Sequence, residues 1–129
     1  MSCATELIEL AVGAPEEHID YKILVAGEGD ELAGYVCFGP TPMTEATWDL
    51  YWIASTPAFR GKGAGSRLLL AMEEDVRRRG GMQVRIETSS MGEYAATRAF
   101  YDRHAYAEAS RLPDFYKPGD DLVTLYKKI

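Results

Sequence analysis

The seven residues from Arg60 to Ser66, R-G-K-G-A-G-S, are the ones whose types and spacing most plainly support chemistry. Gly61, Gly63 and Gly65 can take backbone angles closed to other residues, and without side chains they let a ligand approach the peptide N–H groups. A helix that begins here leaves its first N–H groups without partners and points its positive dipole end at the same place. Together these features make an anion site suited to phosphate or pyrophosphate, with Arg60 and Lys62 adding mobile positive charge at its rim.

Other glycine-rich phosphate loops do not fit. A P-loop needs a Lys-Ser/Thr pair after its last glycine, whereas Lys62 is followed by Gly63. A dinucleotide fingerprint would require glycine at Ser66 or at Leu68, depending on register. Neither register is satisfied. No Ser-His-Asp or Cys-His constellation offers a nucleophile, and the cysteines, Cys3 and Cys37, are too far apart for a paired metal motif. No metal is expected.

Composition narrows the partners. The chain of 129 residues suits a single domain, 1–129, with 47% hydrophobic and 26% charged residues, as in ordinary globular proteins. Its net charge of −6 argues against general nucleic-acid binding and favours a neutral or cationic substrate. No run approaches the ~20 apolar residues of a membrane span, and no leader pattern opens the chain. A reducing cytoplasmic setting is expected from the cysteine usage.

Elements must position the loop. Residues 4 to 12 place Leu7, Ile8 and Val12 at helical spacing, so a helix is expected there, closed by Gly13 and Pro15. Tyr21–Ala26 and Gly34–Phe38 are expected to form a hairpin across Gly27–Asp30, followed by a proline-interrupted loop at Gly39–Pro42. Thr47–Ser55, dense in aromatic and branched residues, is a central strand that delivers the chain to the glycines.

In the helix after them, Leu68, Leu69, Met72 and Val76 form one apolar stripe. Glu73/Arg77, Glu74/Arg78 and Asp75/Arg79 are spaced as i, i+4 pairs on a solvated face, each worth roughly 0.2–0.5 kcal/mol, and Gly80-Gly81 ends the helix. Met82–Thr88 alternates as a strand, and Ser90–Glu93 reads as a capping box opening a second helix from Met91 to about His104. Ala105–Arg111 and Leu122–Lys128 are the last strands, separated by a loop at Pro113–Asp120. The fold class is a mixed α/β layer arrangement.

The pattern R-x-x-G-x-G at Arg60–Gly65, after a strand and opening a helix, resembles the coenzyme A pyrophosphate loop of the GNAT acetyltransferase superfamily. A-F-Y-D-R-H-A-Y at Ala99–Tyr106 is similar to the superfamily's F-Y-x-x-x-G-F, and the likeness covers roughly Tyr21 to Ile129. It implies a central mixed, mostly antiparallel twisted sheet flanked by helices. Two departures stand out. Ala105 occupies the usual glycine position and asks for a different turn. The superfamily's first strand and helix have no counterpart before residue 4, which leaves a sheet edge for a homodimer partner or an upstream segment to cover.

The resemblance also implies roles. Acetyl-CoA is the co-substrate, and an amine of a small molecule or peptide is the acceptor. Ile53, Ala54 and Ser55 would present strand-edge amides and carbonyls to the pantetheine arm. Arg60, Gly61, Lys62, Gly63, Ala64, Gly65 and Ser66 would hold the pyrophosphate. Tyr101 matches the position of a tyrosine near the coenzyme sulfur and is the candidate proton donor.

Asp49, upstream on the strand in W-D-L-Y-W, matches a catalytic carboxylate of some members and is the candidate base, with burial expected to raise its pKa. Glu87 and Tyr51 are reserve candidates, His18 and His104 are set aside, and Phe115-Tyr116 would close over the acceptor. The alternatives to an acetyltransferase are a coenzyme A-binding module without turnover and a structural subunit.

Overall fold

The computed structural model describes residues 6–14, 19–28, 30–57 and 63–129, with side chains described for 21–27, 30–57 and 63–129. Strands β1 (Glu6–Ala14), β2 (Ile19–Glu28), β3 (Glu31–Pro40), β4 (Thr47–Ser55), β5 (Gln83–Ser89), β6 (Ala107–Lys117) and β7 (Asp120–Lys128) form one sheet in the order β1-β2-β3-β4-β5-β7-β6. Helix α1 (Ala64–Arg78) joins β4 to β5, and a 3-10 turn at Gly92–Tyr94 leads into α2 (Ala95–Arg103). The β4–α1–β5 crossover makes β4 and β5 parallel, and every other pair in the sheet is antiparallel. The mixed sheet with flanking helices is the expected fold class.

Residues 6–14 are a strand, not the expected helix. β1 runs antiparallel to β2 over its whole length, with Leu7 opposite Ala26 and Ile8 opposite Val25. A short apolar run cannot be told from a strand by periodicity, and an isolated helix of that length is marginal in water. Pairing with β2 satisfies its backbone and decides the matter.

The core lies between α1 and the sheet. Leu68, Leu69, Met72 and Val76 are fully buried against Leu24, Val36, Phe38, Leu50, Val84 and Ile86. Glu73 and Asp75 are 1% and 2% exposed, so these two carboxylates are not on a solvated face. Glu73 accepts from Lys127 Nζ at 3.0 and 3.1 Å and from the Tyr106 hydroxyl at 2.8 Å. Asp75 pairs with Arg78 and with Arg79, the latter at 2.8 Å, and Glu74 meets Arg77 one residue earlier than the i, i+4 spacing at 3.5 Å.

Both helices end in the same way. Gly80, at φ 88°, follows the cap of α1; its N–H donates to Arg77 O, and the Gly81 N–H donates to Val76 O at 2.8 Å. Ala105, at φ 70°, does the same for α2: its N–H donates to Asp102 O, and the Tyr106 N–H donates to Tyr101 O, each at 3.0 Å. The chain therefore keeps the left-handed turn that glycine favours and makes it with alanine, rather than adopting a different turn.

The capping box does not form. The 3-10 turn has no side-chain cap; Ser90 Oγ accepts the Asp121 N–H instead, and Ser89 Oγ accepts the Met91 N–H. Likewise Pro113–Lys117 belong to β6, and the connection to β7 is the short turn at Pro118-Gly119, with Gly119 at φ 84°. Pro113 lies where the β6/β7 register shifts, between Leu112 and Lys117, so the missing proline donor falls in an interrupted stretch of the ladder.

Candidate functional site

β4 and β5 pair only from Thr47/Gln83 to Leu50/Ile86. Beyond that point β4 continues to Ser55 on β3, and β5 continues to Ser89 on β7, so the parallel strands part. Tyr51 marks the parting. Cys37 faces Trp52 and Phe38 faces Leu50, which leaves Tyr51 as the extra residue of a β-bulge that bends β4 away.

The far end of β4 is anchored to β3. Gly34 makes this possible, because a Cβ there would lie 2.4 Å from Ala54 O. Thr56 closes the junction with its N–H on Ala33 O at 2.9 Å and its hydroxyl on Leu32 O at 3.0 Å.

A cavity of about 510 Å³ fills the gap. Its walls are β4 from Tyr51 to Ser55, β5 from Ile86 to Thr88, Gly65 at the start of α1, and Tyr94, Phe100 and Tyr101 with their small neighbours on the second helical segment. The β4 edge that faces the cavity has no strand beside it past Leu50, so its outward peptide groups are open to a ligand. Ile53, Ala54 and Ser55 lie on this wall of the cavity.

The start of α1 stands at the same cavity. Gly63 is its N-cap at φ 83°, with no side-chain cap and no acidic residue in the first turn. A helix start left in this state suits an anion. Gly65 lies against the Phe100 ring, where a Cβ would be 3.5 Å from the ring edge. Ser66 Oγ and His104 Nε2 are 2.9 Å apart, which ties the first turn of α1 to the end of α2. Arg60, Gly61 and Lys62 lie outside the described residues.

Tyr101 reaches the cavity from α2 and is 4% exposed. Burial pushes its phenol up to about 12. No hydrogen bond occupies its hydroxyl among the described residues. Its ring is held edge-on by Phe100 at 5.3 Å and Tyr106 at 5.7 Å, and the Glu73–Lys127 pair fixes the Tyr106 hydroxyl. Burial, then the Glu73 carboxylate, raise Tyr106 further still.

Asp49 is placed otherwise. Its oxygens accept from Arg85 Nε at 2.7 Å and Nη2 at 3.2 Å, and it does not line the cavity. The pair spans the β4/β5 ladder one residue before the strands part. Instead, Glu87 and Tyr51 are in the lining. Glu87 is exposed and has no ion pair or hydrogen bond among the described residues. Phe115 and Tyr116 are half exposed on β6, ring to ring at 4.9 Å.

Sequence reasoning did not single out Glu73, Lys127 or Arg98 as parts of the frame. Arg98 Nη1 donates to Ser89 O at 2.7 Å and Met91 O at 2.9 Å, joining α2 to the end of β5. No local pattern marks such partners, because Glu73 and Lys127 are 54 residues apart in the chain.

Comparison with known proteins agrees with this geometry. The model of the acetyltransferase (GNAT) family matches residues 4–106. A GNAT-family protein from Desulfovibrio desulfuricans is 44% identical, with 84% of this chain and 69% of that chain covered and a TM-score of 0.82. An acetyltransferase from Bacillus subtilis in complex with CoA shares the fold at 19% identity, covering 96% of this chain and 99% of that one with a TM-score of 0.76. An aminoglycoside 6'-N-acetyltransferase complexed with coenzyme A shares it at 20% identity, over 84% and 72% of the two chains, with a TM-score of 0.73. No curated protein sequence matches the chain. The family match across most of the chain and the parted β4 and β5 lead to one conclusion: this protein belongs to the GNAT acetyltransferase family.

Proposed function

We propose that the protein is an acetyl-CoA-dependent N-acetyltransferase that moves an acetyl group to a primary amine by direct attack on the thioester. The observation that carries this reading is the parting of β4 and β5 beyond Leu50 and Ile86, which opens a cavity beside the uncapped start of α1 and under the Tyr101 phenol. Acetyl-CoA supplies an activated acetyl group: the amine nitrogen forms the new bond to the carbonyl carbon, and the carbon–sulfur bond breaks.

The residues fit that co-substrate. The open edge of Ile53–Ser55 offers peptide groups to the amide-bearing pantetheine arm. The first-turn N–H groups at Ala64, Gly65 and Ser66, with Arg60, Gly61, Lys62 and Gly63 leading into them, suit the pyrophosphate. Tyr101, like any phenol, is protonated at neutral pH, and burial, which pushes it up to about 12, keeps it so; it carries a proton for the departing sulfur.

Asp49 is assigned a positioning role rather than that of base. Both of its oxygens are engaged by Arg85, and the pair braces the ladder where it parts. The amine's proton then leaves through water at the cavity mouth. Two proteins of the same fold in complex with coenzyme A, one of them an aminoglycoside 6'-N-acetyltransferase, support this choice of co-substrate.

Native mass spectrometry with acetyl-CoA, followed by thiol release over a panel of amines, tests the reading. Binding with amine-dependent thiol release supports it; binding without release from any amine makes the protein a coenzyme A-binding module. No binding sinks both.

A further inference from the structure

We propose that the acceptor is a small organic cation that carries, besides the amine acetylated, a second positive group held by Glu87. This rests on the transferase reading above. It concerns the other half of the same cavity, which neither the fold nor the family likeness assigns to a substrate class.

The first observation is the charge of the lining. Of the described residues that wall the cavity, Glu87 alone is charged; there is no lysine, arginine or histidine among them. Arg85, two residues back on the same strand, interacts with Glu87 only through its charge and is committed by hydrogen bonds to both oxygens of Asp49. An exposed carboxylate at the wall of a cavity, with no ion pair among the described residues, attracts a cation and repels an anion.

The second observation is the wall around that carboxylate. Tyr51, Trp52 and Tyr94 line the cavity, and Trp52 and Tyr94 are 51% and 43% exposed. Tyr51 packs edge-on against Tyr21 at 5.3 Å and beside Trp52 at 6.3 Å. Tyr116 stands near the same mouth: after burial, the charges of Glu87 and Asp120 and then Tyr94 raise its hydroxyl. Aromatic faces around one carboxylate favour an ammonium or guanidinium with an alkyl or ring body.

The third observation separates the two groups. Tyr101, beside which the sulfur would lie, is 4% exposed, whereas Glu87 in the same lining is exposed to solvent. A nitrogen that attacks must be neutral, and a carboxylate paired with it would hold its proton on. The exposed Glu87 instead suits a charge remote from the reacting nitrogen. Its contribution is to binding and choice of substrate.

A matched set of acceptors tests this: cadaverine, pentylamine and the ω-amino acid of the same chain length, which share the reacting amine and differ only in the charge at the far end. In the wild-type protein, kcat/KM by thiol release should favour cadaverine over the amino acid by about tenfold or more at low salt, and the preference should shrink as ionic strength rises. Glu87→Gln should reduce the preference to about threefold or less, and Glu87→Lys should reverse it. KM for acetyl-CoA should change by less than about twofold in either variant, which separates acceptor choice from misfolding.

Equal use of the three acceptors by the wild type, or a preference that survives Glu87→Gln, overturns the inference while leaving the transferase reading intact. Failure to bind acetyl-CoA at all removes both. If every amine is turned over too slowly to measure, calorimetry of cadaverine into the CoA-loaded protein reads the same contrast: binding lost in Glu87→Lys supports the inference, and no binding to the wild type overturns it.

Discussion

In the proposed transferase, Tyr101 joins chemistry and stability in a single group. As the proton donor to sulfur, its loss in Tyr101→Phe should lower kcat by about 10²-fold or more while leaving KM for acetyl-CoA within about threefold, as stopped-flow thiol release would show. A variant with full kcat would remove Tyr101 from the chemistry. The same burial has a second consequence. The folded phenol, at about 12, lies above its ordinary value of 10.0, so the folded state holds this proton more tightly than the unfolded chain does. That contribution is complete below pH 10 and is lost as pH rises towards 12. It amounts to about 2 to 3 kcal/mol, and chemical denaturation across this window should show a shallower alkaline decline in Tyr101→Phe than in wild type.

At the level of elements, one turn and one close approach belong to the frame around the cavity. Ala105 sits in a left-handed conformation at φ 70° with its N–H engaged, so Ala105→Gly should stabilise the protein by roughly 0.5–1 kcal/mol with its activity unchanged, measured by urea unfolding. A loss of stability would mean that the turn is not strained. Gly34 is the opposite case. A Cβ there would meet Ala54 O at 2.4 Å and Leu68 Cδ1 at 3.2 Å, and the backbone oxygen cannot step aside as a side chain can. Gly34→Ala should destabilise by about 1–3 kcal/mol and, by displacing β4 between Ile53 and Ser55, weaken acetyl-CoA binding in calorimetry. Unchanged affinity would show that this end of β4 does not hold the pantetheine arm.

For the whole molecule, β6 is the feature that calls for a partner. It is an edge strand in which all eleven residues from Ala107 to Lys117 are exposed, among them Leu112, Phe115 and Tyr116. Edges of this length and character tend to pair. Homodimerisation through β6 is the expected outcome, with Leu112→Lys and Phe115→Lys together shifting the mass in sedimentation equilibrium from dimer to monomer. A wild-type protein that sediments as a monomer would refute it. Among the described residues, no helix is long and apolar enough to cross a membrane, and no group of acidic, histidine or cysteine side chains is placed to hold a metal.

What could be read without the fold was whatever depends on neighbours in the chain. The β4 strand at Thr47–Ser55, the apolar stripe of α1, its glycine stop at Gly80-Gly81 and the left-handed N-cap at Gly63 all follow from local backbone preference and spacing. Tertiary structure decided what depends on partners distant in sequence. Residues 6–14 became a strand because β2 was there to pair with them. Glu73 left the solvated face because Lys127 and Tyr106 met it inside, and Asp49 gave its oxygens to Arg85 because the parallel ladder set the two side by side. Glu87 came to line the cavity only because β4 and β5 part beside it. A carboxylate carries the same charge in every context, and its role is set by which cation, if any, the fold brings within reach.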